Sequence, residues 1–208
     1  PSSEVLCSDE EKIDENDNRY DAYFKPDCSP DTLRCQNYIC HFSIFKKELM
    51  KKLNGFQVGY DGAQDYDIFL RMSEVTDPKN ITHIPKILYH WRVHSESTAK
   101  LNSNAKNYAF EAGKKAISDH LKRVGLDGTV SEGCIEGIYR VDYKVKGNPK
   151  VSIVIPNKDG QDILKVCIDS VLEKTTYDNY EIVIVENNSV SNEIFDYYKE
   201  LIKNEKIR

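Results

Sequence analysis

Three polar groups in this sequence have the composition and spacing that catalytic chemistry needs. The first is the acidic run at residues 9–11. Alternate residues of an extended segment point the same way, so Asp9 and Glu11 could share one Mg²⁺ or Mn²⁺ ion. Such an ion would neutralise a diphosphate leaving group. A solvated acidic loop is the alternative.

The second group is D-G-A-Q-D-Y-D at residues 61–67, which runs into a stretch with helical periodicity. A carboxylate at hydrogen-bond reach can take the proton of an attacking hydroxyl, and Asp65 is the candidate for that role. The alternative is structural, because Asp61 and Asp65 would also cap the helix and complement its dipole.

The third group is Y-H-W-R-V-H-S-E-S-T at residues 89–98. His94 could ligate a metal ion, and Arg92 or Ser97 could contact a diphosphate. A histidine packed for structural reasons is the alternative.

The first 125 residues contain the elements that must position these groups. The pattern predicts a strand at 3–7 that presents the acids at its tip, a long polar loop at 14–36 and a strand at 37–45. Helices are predicted at 46–53, 64–75 and 104–124, with an extended segment at 81–93.

The last third of the chain changes character. Residues 126–150 are rich in glycine and are interpreted as a linker with a small hairpin. Residues 151–155 are apolar except for Ser152, which is typical of a parallel strand covered on both faces. The order strand, helix, strand, helix over 151–204 predicts a Rossmann-like half-sheet, and ligands bind such sheets at the strand tips. The tips carry Pro156, Asn157, Asp159 and Glu186.

Composition narrows the class of protein. The chain has 208 residues, of which 39% are hydrophobic and 30% charged, with a net charge of -5. The negative net charge does not favour binding to nucleic acid. No apolar run approaches the roughly 18 residues that a membrane span needs. The six cysteines form no C-x-x-C pair. We therefore expect reduced cysteines in a cytoplasmic protein.

The order of the motifs carries a resemblance. The motifs are S-D-E-E-K-I-D-E at 8–15, Y-F-K-P-D-x-S-P-D-x-L at 23–33, Q-N-Y-I-C at 36–40, G-F-x-x-G-Y-D-G-A-Q-D-Y-D-I-x-L-R at 55–71 and H-I-P-K-I-L-Y-H-W-R-V-H-x-x-S-T-A at 83–99. Together they resemble the second half of a family 2 glycosyltransferase module of bacterial O-antigen, rhamnan and surface polysaccharide synthesis. V-S-I-V-I-P-N-K-D-G at 151–160, with the segment 167–189, resembles the start of another such module.

The resemblance implies roles for particular residues. Asp9 and Glu11 fall on the family's DXD metal site, with Glu11 where Asp is usual, and His94 falls on the segment that faces the diphosphate. Asp65 matches the catalytic base of the family's E-D pair, with Gln64 in place of Glu. The four tip residues of the second module match positions that contact the nucleoside.

The resemblance also implies an α/β fold of the GT-A (Rossmann-like) type, incomplete or permuted in this chain. We expect residues 1–125 to be the metal and acceptor half of one module, 126–150 a linker, and 151–208 the nucleotide-binding half of the next. Residues 151–155 would pair with residues 4–7, within one chain or between two chains as a swapped homodimer.

The expected function is inverting, metal-dependent transfer of a sugar from a nucleoside-diphosphate sugar to a hydroxyl of a growing glycan. The partners are therefore the nucleotide sugar and the glycan acceptor, at the cytoplasmic face of the membrane. A nucleotidyltransferase is one alternative, but it would carry a glycine-rich phosphate loop after the first strand. A nucleotide-sugar or glycan-binding module without catalysis is another.

Overall fold

The computed structural model describes residues 3–93, 103–135 and 137–208. The chain divides into two compact units, Pro1–Lys144 and Val145–Arg208. His94, one of the expected metal ligands, lies outside the described residues. None of the described helices combines the length and the apolar character that crossing a membrane requires.

The first unit is built on a four-stranded sheet with a long central strand. Its strands are β1 (Val5–Ile13), β2 (Arg19–Tyr23), β3 (Ser43–Phe45) and β4 (Ile81–Arg92). β4 pairs in parallel along the whole of β1. β2 and β3 pair antiparallel with successive parts of β1, so they share its other edge.

The acidic residues 9–11 lie inside β1 and not at its tip. The expected strand 3–7 continues to Ile13 because both of its edges are paired through this stretch. The β1–β4 register shifts on both sides of Asp9, where β4 contains Pro85. Proline has no N–H to give to a ladder, which accounts for an irregularity at this point. Ser8 and Asp9 are consequently both buried, although they are neighbours in one strand.

Besides a 3₁₀ turn at Pro78–Asn80, the described residues of the first unit form four α-helices, and two of them cover the core. They are α1 (Pro30–Cys35), α2 (Lys47–Lys52), α3 (Gln64–Val75) and α4 (Ser103–Arg123). The bounds of α3 are those predicted. The 14–36 stretch, predicted to be a loop, contains β2 and α1, and the predicted strand 37–45 is reduced to β3. Ile68, Leu70 and Met72 of α3 and Ile117 of α4 are among the most buried side chains of the core.

The expected linker is part of the first unit over most of its length. Residues 126–150 do form a hairpin, of β5 (Gly128–Glu132) and β6 (Tyr139–Tyr143). The Tyr139 ring stacks on Phe110 of α4 at 4.7 Å between centroids, and its hydroxyl oxygen lies 2.0 Å from where a Cβ on Gly113 would be. The hairpin therefore packs on α4 at a point where only glycine fits, and the linker interpretation is wrong for 128–143.

The second unit is a parallel half-sheet with helices. It contains β7 (Val151–Asn157), α5 (Gln161–Lys174), β8 (Tyr180–Glu186) and α6 (Asn192–Leu201). β7 pairs with β8, and Ile207 forms a parallel bridge to Ile182 on the other edge of β8. Ile182, Ile194 and Leu164 form its core. Val154 is 59% exposed, so only one face of β7 is covered.

The described strands form three separate sheets, and β1 and β7 belong to different ones. The expected pairing of residues 151–155 with residues 4–7 inside one chain is therefore wrong. Its physical reason is that β1 has no free edge, since β4 occupies one side and β2 and β3 the other.

Candidate functional site

Asp65 is presented by the first turn of α3 and is partly exposed. Its Oδ1 accepts a hydrogen bond of 2.8 Å from the Tyr66 backbone N–H, and its Oδ2 accepts one of 3.1 Å from Asn37 Nδ2. A carboxylate held by two N–H donors has one orientation and keeps lone pairs free for a third partner. The geometry suits a proton acceptor.

The loop before β3 brings a thiol and an imidazole to this carboxylate. Ligand atoms of Cys40, His41 and Asp65 all lie within 4.8 Å of one another. Burial, followed by the negative charge of Asp65, raises the pKa of the Cys40 thiol. Without a bound metal ion the thiol therefore stays protonated at neutral pH, where it is a hydrogen-bond donor.

The buried side chain of Lys25 stabilises this loop. The residue is only 5% exposed, and its ammonium donates to the carbonyl oxygens of Ile39 and His41. Burial lowers the pKa of the Lys25 ammonium, against the nearby charge of Glu10, which raises it. Lys25, Asn37 and Cys40 lie in motifs that carry the resemblance, but no pattern in the sequence predicted a role for them.

The Asp9 carboxylate is bound by other groups of the first unit. Its carboxylate is 4% exposed, and Oδ1 lies 2.7 Å from His83 Nε2. The same oxygen accepts a hydrogen bond of 2.9 Å from the Lys25 backbone N–H. Asp9 thus ties β1 to β4 and to the segment after β2.

Glu11 has different partners and does not complete a metal site with Asp9. Its Oε1 lies 2.8 Å from His90 Nδ1 and 3.5 Å from Arg19 Nε. Among the described residues, three ligand atoms within 4.8 Å of one another occur at Cys40, His41 and Asp65 and at no site that includes Asp9 or Glu11. In this arrangement the two carboxylates do not fit a shared divalent ion, which prefers several oxygen ligands.

In the second unit, the structure brings the four predicted tip residues together. Asn157 and Glu186 end β7 and β8 and are register partners, with Pro156 just before and Asp159 just after. Asp159 Oδ1 accepts backbone N–H bonds from Val190 and Ser191, and these bonds lower its pKa. Both carboxylates are therefore ionised and ordered at the carboxyl edge of a parallel sheet, where such sheets bind ligands.

A tyrosine that the sequence analysis did not select joins the two strand tips. Tyr198 of α6 accepts a hydrogen bond of 2.8 Å from Asn157 Nδ2 and donates one of 2.9 Å to Glu186 Oε2. The Ser189 backbone and hydroxyl donate to the same glutamate and lower its pKa. The sequence alone could not single out Tyr198, because the neighbouring residue, Tyr197, has the same side chain.

The second unit has the strand, helix, strand, helix order of half a Rossmann-like sheet, and it matches a known family. Residues 152–208 match the family model described as Glycosyl transferase family 2. The second unit therefore belongs to the family 2 glycosyltransferases, and its α/β fold is of the GT-A type.

Similar proteins extend the match to the first unit. The uncharacterized protein y4gI of Sinorhizobium fredii is 39% identical over 202 residues, which are 97% of this chain and 22% of that protein. The O-antigen biosynthesis protein RfbC of Myxococcus xanthus is 41% identical over 196 residues, 94% of this chain and 15% of RfbC. Chondroitin synthase of Escherichia coli is 34% identical over 91 residues, 42% of this chain and 12% of the synthase.

This chain spans less than a quarter of the length of each of these relatives. In y4gI and RfbC one continuous match covers both units. The succession of the two units is therefore a feature that the three proteins have in common.

Proposed function

We propose that this chain takes part in the transfer of a sugar from a nucleoside-diphosphate sugar to a hydroxyl of a growing surface glycan. The second unit begins a family 2 module and binds the nucleotide at Pro156, Asn157, Asp159 and Glu186. The first unit is the acceptor half of the module before it. The similarity to an O-antigen biosynthesis protein across both units supports this division.

The environment of Asp65 is the observation that carries the proposal. Its carboxylate is partly exposed at a helix start and is oriented by Asn37 and the Tyr66 N–H. An acceptor hydroxyl that reaches it can give up its proton as the oxygen attacks the anomeric carbon. Direct displacement inverts the configuration at that carbon. We therefore assign Asp65 as the general base.

Metal dependence remains a prediction. Asp9 and Glu11 do not fit a shared ion in this arrangement, and His94 lies outside the described residues. A cytoplasmic location and action at the cytoplasmic membrane face also remain predictions. A homodimer swapped through residues 4–7 would need a free edge that β1 does not have.

One structural observation disfavours the nucleotidyltransferase alternative. The turn between β7 and α5 holds a single glycine, Gly160, and within this turn the backbone N–H groups of Asp159 and Gln161 already donate, to Ser189 Oγ and to the Asp159 carbonyl oxygen. A phosphate cradle needs such N–H groups to be free. A binding module without catalysis is separated from the enzyme by the following experiment.

The test replaces Asp65 by asparagine, with Asp61→Asn as the matched control, since Asp61 is exposed in the turn just before α3. The protein, as its gene encodes it, is assayed against a panel of nucleotide sugars with Mn²⁺. Asp65→Asn should lower kcat by about 100-fold or more and leave donor affinity intact, because only a proton acceptor is lost. Turnover near that of the unmodified protein would exclude Asp65 as the base.

A further inference from the structure

Three side chains of different chemistry converge where the loop before β3 meets the first turn of α3. The Cys40 sulfur, an imidazole nitrogen of His41 and a carboxylate oxygen of Asp65 all lie within 4.8 Å of one another. All three residues are partly exposed, so an ion can reach them from solvent. A thiolate, an imidazole and a carboxylate are the three kinds of ligand that Zn²⁺ takes in proteins.

The three ligand atoms need only a small movement to surround an ion. In a tetrahedral zinc site, bonds of about 2.0–2.3 Å place the ligand atoms roughly 3.5 Å apart. The cluster must therefore contract by up to about 1.3 Å. The His41 side chain is 42% exposed and has room to turn toward the other two ligands. Three protein ligands leave the fourth position of the tetrahedron open to water.

The hydrogen bonds around the cluster are of the kind that orients metal ligands. Asn37 Nδ2 and the Tyr66 backbone N–H donate to the Asp65 carboxylate, which keeps lone pairs free for a third partner. Glu10 Oε2 accepts a hydrogen bond of 2.8 Å from the His41 backbone N–H and lies 3.7 Å from His41 Nδ1. A carboxylate beside a ligating imidazole, and N–H donors on a ligating carboxylate, commonly fix the ligands of a zinc ion.

The charges at the cluster suit a divalent cation. A bound ion displaces the proton of the Cys40 thiol to solvent, so that Cys40, Asp65 and Glu10 together carry three negative charges. The nearby ammonium of Lys25 carries one positive charge. The remaining charge of two is the charge that Zn²⁺ neutralises.

We propose that Cys40, His41 and Asp65 form a binding site for Zn²⁺ and that the bound ion inhibits sugar transfer. The ion takes the lone pair with which Asp65 accepts the proton of the acceptor hydroxyl. The inhibition rests on the function proposed above, whereas the binding of the ion does not. The thiolate separates this site from one for Mg²⁺ or Mn²⁺, because those ions prefer oxygen ligands.

Co²⁺ is the spectroscopic probe, since it replaces zinc in tetrahedral sites and gives an intense near-ultraviolet band when a thiolate binds it. The reduced 208-residue chain is titrated with Co²⁺, and Zn²⁺ is then added in competition. We expect the thiolate band to form and to disappear with a Kd for Zn²⁺ on the order of micromolar or lower. Mn²⁺ at the same concentration should leave the band in place. The absence of a thiolate band, or its loss with Mn²⁺ as readily as with Zn²⁺, would overturn the site.

Variants of the chain assign the ligands. Cys40→Ser should abolish the band and weaken Zn²⁺ binding at least about tenfold, since even the outer hydrogen-bond partners of a metal ligand matter by that factor. Cys134→Ser is the matched control, because Cys134 is a free and exposed cysteine, and it should keep both. Asp65→Asn should weaken Zn²⁺ binding while the thiolate band is retained, which also shows that the loop is still folded. Unchanged Zn²⁺ affinity in Cys40→Ser or in Asp65→Asn would contradict the assignment.

Turnover tests the inhibition separately. In the protein as its gene encodes it, assayed with Mn²⁺, micromolar Zn²⁺ should lower transfer, and a chelator followed by fresh Mn²⁺ should restore it. Cys40→Ser should need at least about tenfold more Zn²⁺ than Cys134→Ser for the same fractional loss of its own turnover. Equal sensitivity of the two variants would refute the inhibition. Zn²⁺ binding with normal turnover in Asp65→Asn would refute the base alone, whereas lost turnover in Asp65→Asn without Zn²⁺ binding to the unmodified chain would refute the zinc site alone.

Discussion

Arg71 and Asp67 form an ion pair one turn apart on α3, and solvent is excluded from both side chains. The nitrogen and oxygen lie 2.7 Å apart, and the side chains are 5% and 0% exposed. Arg71 also donates to the backbone carbonyls of Leu53 and Gly55, at 2.8 and 2.9 Å. One guanidinium thus fixes α3, the helix that presents Asp65, to the turn after α2.

Replacing Arg71 by methionine keeps the apolar stem and removes the charge. A carboxylate left buried without its partner destabilises a protein by about 3–5 kcal/mol. Each carbonyl that loses its donor adds on the order of 1 kcal/mol. Asp67 Oδ1 already has no hydrogen-bond partner, so the local structure cannot compensate from that side. We expect a loss of about 5–7 kcal/mol, a large part of the 5–15 kcal/mol of a typical domain.

Urea unfolding followed by Trp91 fluorescence measures this loss, because the single tryptophan lies in the first unit. Lys79→Met is the control: its pair with Asp77 is exposed, at 77% and 48%, and its loss should have little effect on stability. Adding Asp67→Asn to Arg71→Met should restore part of the stability, since the uncompensated charge is gone. A loss from Arg71→Met no larger than that from Lys79→Met would refute the reasoning.

Two further predictions use matched pairs within the chain. Tyr198→Phe should weaken the binding of UDP, GDP or dTDP to the chain about threefold to tenfold, because Asn157 and Glu186 lose their common hydrogen-bond partner. Tyr197→Phe should leave the affinity unchanged. Equal affinities of the two variants, measured by calorimetry, would contradict the bridging role of Tyr198. Gly62→Ala should destabilise the first unit by about 1–3 kcal/mol more than Gly59→Ala. Both glycines have positive φ, but only at Gly62 would a Cβ meet a neighbour, at 2.5 Å from the Tyr108 ring; equal unfolding midpoints would show that the contact is relieved at no cost.

Local pattern determined much of the architecture of this chain. The bounds of α3 follow from the helical period of its apolar residues, and Gly62 marks the turn before it. β7, α5, β8 and α6 were all predicted, because a run of β-branched residues and a helical period are properties of neighbouring residues. The same holds for Asn157 and Glu186, since parallel strands bring their carboxyl ends to one edge.

The pairing of β1 with β4 determined the contacts of the acidic residues 9–11. The alternation of an ideal strand predicted that Asp9 and Glu11 bind one metal ion. The β1–β4 register is irregular beside Pro85, and Asp9 contacts His83 whereas Glu11 contacts His90. His83 and Lys25 reach Asp9 from 74 and 16 residues away, and no local pattern encodes such a meeting.

The same limit applies to Asp65 and to Tyr198. The sequence identified the base candidate by its place at a helix start, but Asn37 and Cys40 approach it only because β3 pairs with β1 and brings their loop along. Tyr198 and Tyr197 are indistinguishable by type, and only the packing of α6 on the sheet chooses which hydroxyl lies between the two strand tips. Side-chain partners are set by distances in space, which hydrophobic periodicity does not specify.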